Sequence, residues 1–229
     1  MKTKREFFVI SLGGSLIVPE GIDTDFLKQL RSLILNQIKK GRRFIIITGG
    51  GKTARNYQNA ASEIAYLHRE DLDWLGIHST RLNAHLLRTI FRNVSHPAVI
   101  KNPTKPVRTK KPVIIAAGWK PGCSTDYDAV LLAGRFKAKT ILNLSNIDYV
   151  YTSDPKKDNS AEPIEKISWK EFRKIVGNKW EPGLNAPFDP VASREAQKLG
   201  LKVVIMNGRD FKNIENFLSG KKFKGTVIE

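Results

Sequence analysis

Short apolar segments alternate along the chain with segments whose apolar residues recur at helical spacing. Apolar runs rich in β-branched residues predict strands at residues 7–12, 44–48, 112–117, 139–144, 202–206 and 226–228. The helical periodicity predicts helices at residues 25–40, 52–66, 72–91, 125–137, 169–176, 190–199 and 211–218. Strands that alternate with helices in this way predict an α/β fold with a mainly parallel sheet.

Two further features of the pattern complete the predicted architecture. In the helix at 52–66, the predicted inner face consists of Ala54, Tyr57, Ala61, Ile64 and Ala65. Residues 153–163 form the one long polar loop, and no internal repeat or linker interrupts the chain. We therefore expect a single domain over residues 1–229.

Three predicted strands end in glycine turns, at residues 11–15 (SLGGS), 48–52 (TGGGK) and 117–126 (AGWKPGCSTD). In parallel sheets, ligands bind at the carboxyl ends of the strands, where turns lead into helices. Glycine allows the backbone to approach a ligand closely, and N–H groups exposed at a helix start attract phosphate. Together the three turns predict a phosphate-binding surface.

Several side chains beside these turns are candidates for chemistry. Arg55 lies one helical turn beyond the second glycine turn and could reach a phosphate as a two-pronged donor. Ser124 or Thr125 could cap the helix that follows the third turn, which would leave Asp126 free to face ligands. A P-loop is excluded, because the first glycine of that motif is replaced by Ile46.

Composition and charge narrow the class of protein. The 229 residues carry a formal net charge of +17, which suits a nucleic-acid binder, a membrane-surface protein or an enzyme of anionic substrates. No long basic tail or alternation of basic and aromatic residues occurs, so nucleic acid is not expected as the main partner. Glycines at 13 and 14 interrupt the apolar run near the amino terminus, which argues against a signal peptide.

Membrane and metal associations are also not expected from the sequence. No apolar run approaches the roughly 20 residues that span a membrane. Cys123 is the sole cysteine, which indicates a reducing compartment, and we expect a cytoplasmic protein. The four histidines lack metal-ligand spacing, so we expect no metal site built from protein side chains alone.

The order of motifs makes the chain similar to the amino-acid kinase family, and within it to the archaeal-type UMP kinases. The resemblance runs nearly from end to end. Its motifs are SLGGSL at 11–16, GGGKTAR at 49–55, TRLNA at 80–84, PGCSTD at 121–126, SNIDYVYTSDPKKD at 145–158, DPVA at 189–192 and GTVIE at 225–229. The segment from 151 to 158 and the terminal GTVIE are the most specific.

The resemblance implies a fold and an activity. The fold would be a three-layer αβα sandwich, with an amino-terminal part that binds the phosphate acceptor and a carboxyl-terminal part, from about residue 120 to 229, that binds ATP. The activity would be transfer of the γ-phosphate of ATP to UMP, with Mg²⁺, in pyrimidine nucleotide biosynthesis. The resemblance also implies a homo-oligomer, either a dimer or a hexamer.

It further implies roles for individual residues. Arg55, Asp126 and Lys52 would be catalytic. The residues implied to bind ATP are Gly13, Gly14, Ser15, Gly51, Arg55, Ser145, Tyr151 and Asp154. The residues implied to bind UMP are Gly50, Asp73, Gly118, Trp119, Lys120, Pro121, Gly122, Cys123, Ser124 and Thr125.

The chain departs from the family pattern at four places. Ser11 stands where the bacterial enzymes carry a lysine, and the archaeal-type enzymes also lack a lysine at this position. Trp119 replaces a small or hydroxyl residue, Tyr149 replaces a glycine, and the pair at 127–128 replaces small residues. These changes bear on recognition of the acceptor base.

Other functions of the same motifs stay open. Another acceptor within the family, such as isopentenyl phosphate, an amino acid or carbamate, is one alternative. Isopentenyl phosphate kinases place a histidine shortly after the second glycine turn, and residues 52–58 contain none. A protein of a different class, a nucleotide-responsive regulator or an oxyanion-storage protein without catalysis, is the other alternative.

Overall fold

The computed structural model describes residues 7–153, 155, 157–177 and 186–229. The strands within these residues are β1 (Phe7–Leu12), β2 (Arg43–Thr48), β3 (Val113–Ala116), β4 (Thr140–Ser145), β5 (Val150–Tyr151), β6 (Pro163–Ile164), β7 (Lys166–Ile167), β8 (Lys202–Asn207) and β9 (Thr226–Ile228). The helices are α1 (Gly14–Ile17), α2 (Thr24–Lys39), α3 (Gly51–Ile64), α4 (Arg69–Ile90), α5 (Thr125–Phe136), α6 (Trp169–Val176), α7 (Pro190–Lys198) and α8 (Phe211–Leu218).

Seven strands form the central sheet in the order β3-β2-β1-β4-β8-β9-β7. Every neighbouring pair is parallel except β8 and β9, which run antiparallel. The strands that precede the three glycine turns, β1, β2 and β3, are adjacent, and Leu12 pairs with Thr48 at their carboxyl ends. The three turns therefore leave the sheet at one edge, as the sequence predicted.

Helices cover both faces of the sheet. On one face, buried side chains of α1, α2, α4 and α8 pack on alternate strand residues such as Ile10, Ile46 and Leu142. On the other face, α5, α6 and α7 pack on the intervening residues, among them Val9 and Ile45. Because both faces are covered, the central strands are apolar throughout rather than alternating. The three-layer αβα sandwich is confirmed.

Most predicted elements match the structure within a few residues at each end. The helices at 169–176 and 211–218 and the strand at 226–228 coincide with α6, α8 and β9. The polar loop predicted at 153–163 joins β5 to β6, which form a small antiparallel pair. The sequence did not predict β5, β6, β7 or the four-residue helix α1, because each is too short to show a period.

The predicted inner face of α3 is wrong. No residue of α3 is buried, and the side chains of Tyr57 and Ile64 are 63% and 86% exposed. The physical reason is that α3 packs against α1 and α4 rather than on the sheet, so its apolar residues are not drawn into the core. Among the described helices, none combines the length and the apolar character that a membrane crossing requires.

Candidate active site

The first two glycine turns press directly against each other. A Cβ atom added to Gly14 would lie 2.1 Å from the amide nitrogen of Gly51 and 2.6 Å from the carbonyl carbon of Gly49. Gly51 has a φ of +65°, in the left-handed region that favours glycine. Any side chain at these positions would separate the turns, so the glycines bring two sets of backbone amides to one place.

Helix α4 holds the third turn in position. The Thr80 hydroxyl accepts a hydrogen bond from the N–H of Gly118 at 2.8 Å. The Arg81 guanidinium donates to the carbonyl oxygen of Trp119 at 2.9 Å. Two successive residues of α4 thus fix two successive residues of the turn.

The same helix also holds the second turn. The Asn83 side-chain amide donates to the carbonyl oxygens of Gly49, at 2.8 Å, and Gly50, at 3.2 Å. The Thr48 hydroxyl donates to the carbonyl oxygen of Thr80 at 2.9 Å. Because Asn83 is buried, its loss would remove a hydrogen bond from each of these two carbonyl groups without water to replace it.

The turns and helix α4 enclose a cavity of about 280 Å³. Its walls combine backbone from the second and third glycine turns with side chains from α3 and α4. The lining residues are Gly49, Gly50, Gly51, Ala54, Arg55, Gln58, Leu72, Asp73, Gly76, Ile77, Thr80, Gly118, Cys123, Ser124 and Thr125. Many of the residues that the resemblance assigned to UMP therefore surround one hollow.

Asp73 lies on this wall and also touches the third turn. Its Oδ2 atom accepts a hydrogen bond from the N–H of Gly122 at 2.8 Å. A carboxylate oxygen can accept more than one hydrogen bond, so the side chain can hold the turn and still bind a hydroxyl in the cavity. The sequence predicted the position of Asp73 at the site but not its contact with Gly122.

Asp126 lies where the first turn, β4 and α7 meet. The Ser11 hydroxyl donates to its Oδ1 at 2.8 Å, and the Asn143 amide reaches the same atom at 3.4 Å. The backbone N–H of Asp189 donates to its Oδ2 at 3.2 Å. Ser124 caps α5 by accepting from the N–H of Tyr127, so Asp126 is free of capping, as the sequence suggested.

Burial sets the protonation behaviour of this carboxylate. Desolvation, reinforced by the negative charge of Asp189, raises the pKa of Asp126 to about 6, against the lowering effect of the Ser11 hydrogen bond. The pKa of Asp189 is also raised, mainly by its burial. Near neutral pH the Asp126 carboxylate is therefore mostly ionised while lying in a poorly solvated place.

The two cationic candidates near the second turn are placed differently. Arg55 is exposed, lines the cavity and forms no hydrogen bond or ion pair among the described residues. The Lys52 ammonium is 3.1 Å from the Glu20 carboxylate and does not line the cavity. Geometry therefore favours Arg55 over Lys52 as the group that meets a phosphate in this hollow.

Of the residues assigned to ATP, Gly13, Gly14, Ser15 and Ser145 lie at the first turn and the end of β4, whereas Gly51 and Arg55 line the cavity. The N–H of Gly13 donates to the carbonyl oxygen of Leu144 at 2.9 Å, while Gly14 and Ser15 begin α1. The Ser145 hydroxyl oxygen is buried and has no hydrogen-bond partner among the described residues. Tyr151 lies in β5, and Asp154 lies outside the described residues.

The remaining acceptor-turn residues lie at the rim of the cavity. The Lys120 ammonium sits 4.4 Å from the centroid of the Trp119 ring, a cation–π contact. Trp119, Lys120, Pro121 and Gly122 do not line the cavity itself, whereas Cys123 does. Burial, with the charge of a neighbouring carboxyl, raises the pKa of the Cys123 thiol.

Sequence reasoning gave no role to several residues that build the site. Thr80 and Asn83 belong to the TRLNA motif, and Asp189 belongs to the DPVA motif. These motifs marked the three residues as part of the resemblance but did not indicate their contacts with the turns and with Asp126. Asn143 lies in a strand that reads only as apolar core. Their contacts join segments far apart in the chain, which spacing alone cannot reveal.

Fold and site together define an α/β protein whose glycine turns present backbone amides at the carboxyl edge of a parallel sheet, a class suited to binding phosphate groups. A model of the amino acid kinase family matches residues 6–207. The chain belongs to the amino acid kinase family.

Individual relatives agree with this assignment. A uridylate kinase of Pyrococcus abyssi is 34% identical over 225 residues, which cover 96% of this chain and 98% of that protein. A uridylate kinase of Methanospirillum hungatei is 34% identical over 224 residues, covering 96% and 93% respectively. The crystal structure of the uridylate kinase from Archaeoglobus fulgidus superposes with a TM-score of 0.82 at 29% identity, covering 97% of this chain and 99% of that one.

Proposed function

We propose that the protein is a UMP kinase, which transfers the γ-phosphate of ATP to UMP and yields ADP and UDP. The observation that carries this proposal is the cavity between the second and third glycine turns, where Asp73, Arg55 and the backbone of Gly118 face one hollow. Uridylate kinases are among the relatives that match the chain over nearly its full length.

The two substrates would occupy different parts of the carboxyl edge of the sheet. UMP would occupy the cavity, whose lining comes from the amino-terminal part and from the third turn. ATP would lie along the first turn and along β4, which belongs to the carboxyl-terminal part from about residue 120 to 229. The unpartnered Ser145 oxygen on that side supports this arrangement, because a buried hydroxyl without a partner is available to a ligand.

Transfer of the phosphoryl group requires no protein nucleophile, because an oxygen of the acceptor phosphate attacks the γ-phosphorus. A bond forms between these two atoms, and the bond to the oxygen that bridges the β- and γ-phosphates breaks. Catalysis then rests on positioning and on stabilising charge on the transferring oxygens. The amides of Gly14 and Gly51 and the Arg55 guanidinium are candidate donors, whereas the Gly13 amide is already bonded to the carbonyl oxygen of Leu144.

Mg²⁺ would enter with ATP, where it neutralises charge on the phosphates. Mg²⁺ is usually held by substrate phosphates and one or two carboxylates, and Asp126 presents a carboxylate beside the first turn. The donor set of the site therefore fits an ATP-bound Mg²⁺. Asp126 would orient the phosphates and cations around it and accept no proton in the reaction.

The decisive experiment is an ATP-coupled turnover screen with UMP, CMP, AMP, GMP and isopentenyl phosphate. We expect turnover with UMP to exceed that with CMP and AMP. Equal rates with all nucleotides would contradict the base preference and implicate Trp119. Retardation of DNA that weakens with salt, together with no turnover of any acceptor, would instead favour the non-catalytic regulator.

The assembly is a second part of the proposal. A homo-oligomer, dimer or hexamer, is what the resemblance implies, and the exposed apolar side chains of Tyr57, Ile64 and Tyr66 on and beside α3 support it, because water-exposed apolar surface favours association. Light scattering across a range of protein concentrations should give the mass of an oligomer. A monomer mass at all concentrations would contradict this part alone.

A further inference from the structure

One buried carboxyl group near the acceptor turn has no part in the reaction described above. Asp128 lies in the first turn of α5 and is fully buried, next to the core residues Ala129 and Val130. It forms no salt bridge with any described residue, and it does not line the cavity. Carboxyl groups are rarely buried without a cationic partner, so its presence calls for a specific reason.

The contact that Asp128 makes is with the backbone of the third glycine turn. Its Oδ2 atom accepts a hydrogen bond from the N–H of Trp119 at 3.0 Å. The carbonyl oxygen of Trp119 is held from the opposite side by Arg81 at 2.9 Å. The peptide groups on both sides of residue 119 are therefore fixed, one by α5 and the other by α4.

Structural needs of α5 do not explain the carboxyl group. The helix is already capped by Ser124, whose hydroxyl accepts the N–H of Tyr127 at 3.1 Å. The second oxygen of Asp128, Oδ1, is buried without a hydrogen-bond partner among the described residues. A buried oxygen without a partner lowers the stability of the folded state, so the Asp128 carboxyl group is destabilising even though it holds the third glycine turn.

We propose that Asp128 is a positioning residue for the phosphate acceptor, which fixes the acceptor turn at residues 117–125 through the N–H of Trp119. The acceptor's identity rests on the function proposed above, but the contact with Trp119 does not. Through this contact, the Gly118 backbone and the segment 123–125 keep their places on the cavity wall.

Kinetics of two variants test the proposal. Asp128→Ala removes the acceptor for the Trp119 N–H, and we expect it to raise the KM for UMP about tenfold while the KM for ATP changes less than about twofold. Asp128→Asn keeps an oxygen in the same place, and we expect it to restore the KM for UMP to within about threefold of the parent value. Equal effects on both KM values, or an Asn variant no better than Ala, would overturn the proposal.

A matched control separates positioning from general destabilisation. Gln37 is also fully buried, with one hydrogen bond, to Arg42, and one polar atom without a partner among the described residues, and it lies in α2 away from the turn. Gln37→Leu should change Tm without changing either KM. A rise in the KM for UMP in this control would show that any loss of core packing reaches the acceptor, and would overturn the specific role of Asp128.

Hydrogen exchange gives a readout that does not depend on activity. In the parent protein without substrates, the Trp119 amide should exchange at least about tenfold more slowly than an unprotected amide, and Asp128→Asn should keep that protection. Exchange at the unprotected rate in the parent would overturn the proposal even if Asp128→Ala does not fold. If UMP is not a substrate but residue 128 controls the Trp119 amide, the proposed function fails and the contact stands.

Discussion

The Asp126 carboxylate is held in one orientation by the residues around it. Its two oxygens receive hydrogen bonds from Ser11, Asn143 and the backbone of Asp189, which come from three separate segments. These donors fix the orientation of the carboxylate. Burial makes the ionised form less favourable and raises the pKa of Asp126 to about 6. A preorganised charge of this kind is what an electrostatically driven transfer uses.

The first prediction concerns the cation that stabilises the transferred phosphate. Arg55→Ala should lower kcat by roughly 10²–10³, the usual loss for one preorganised charge donor. Lys52→Ala should lower it less, because the Lys52 ammonium pairs with Glu20 and does not line the cavity. Steady-state kinetics with ATP and UMP measure both.

Asn59→Ala provides the matched control for Arg55, since Asn59 is exposed on the same helix one turn further and does not line the cavity. It should retain kcat. If Arg55→Ala keeps near-normal kcat and changes only stability, the second turn is structural, and Lys120 becomes the candidate cation.

The second prediction concerns the acceptor. Asp73→Ala should raise the KM for UMP more than the KM for ATP, because Asp73 lines the cavity and supports the third turn through Gly122. Glu70→Ala, an exposed acid in the first turn of the same helix, is the control and should leave both values unchanged. Unchanged KM values in Asp73→Ala would mean that this carboxylate is only a surface charge and does not bind the acceptor.

The third prediction concerns pH and stability. The pKa of Asp128 is raised above its unfolded value of 3.8 to about 7, so the folded state binds more protons between these values and the free energy of unfolding falls as pH rises through that window. Asp128→Asn removes the titrating group. We expect the variant to gain stability relative to the parent between pH 4 and pH 8, by up to a few kcal/mol.

Denaturant titrations at several pH values, without nucleotide or metal, measure this difference. Its sign follows from an acid whose pKa is raised by folding, for which stability is fully present at low pH and lost at high pH. A difference between parent and variant that stays constant with pH would mean that Asp128 does not titrate in this range.

At the scale of elements, α4 is the support of the site. Its residues Thr80, Arg81 and Asn83 contact the second and third turns, and Asp73 contacts the third turn again. On the same face of α4, one and two turns beyond Thr80, Ala84 and Leu87 lie in the core, which anchors the helix to the sheet. The packing of one helix thereby sets the distance between the second and third glycine turns.

The fourth prediction tests this arrangement. Asn83→Ala leaves the carbonyl groups of Gly49 and Gly50 without their donor, so it should lower the free energy of unfolding by about 1–3 kcal/mol and also lower kcat. Ser79→Ala is the control, because the buried Ser79 hydroxyl donates only to Leu75 in its own helix. Comparable losses of kcat in the two variants would show that α4 supports the fold but not the turns in particular.

At the scale of the whole molecule, the feature that bears on substrate binding is the formal net charge of +17. Both substrates of the proposed reaction are anions, and a positive field raises their local concentration and their rate of association. Salt screens such fields, with a Debye length of about 10 Å at 0.1 M ionic strength.

The fifth prediction follows from that screening. The kcat/KM for UMP should fall several-fold as ionic strength rises from about 0.02 to 0.5 M at constant free Mg²⁺, while kcat changes little. Stopped-flow or initial-rate measurements with potassium chloride test this. A kcat/KM that is independent of salt would mean that the excess charge serves a purpose other than drawing in the substrate.

The sequence by itself determined the layer order of the fold. Strands such as β2 and β4 are apolar on both faces, and that property requires cover on both sides of a parallel sheet. The glycine turns were equally visible, because glycine is the residue that permits close approach of two backbones. The identity of the residues around the cavity came from the resemblance, and periodicity or spacing alone would not have assigned them.

Only the tertiary structure decided how the site is held together. The bonds from Asn83 to Gly49, from Asp128 to Trp119 and from Ser11 to Asp126 join residues that are distant in the chain, and no local period encodes them. The exposed face of α3 has the same origin: its pattern specifies an apolar side, but its position outside α4 leaves that side in water. Local patterns fix which elements form, whereas long-range contacts fix which side chains meet.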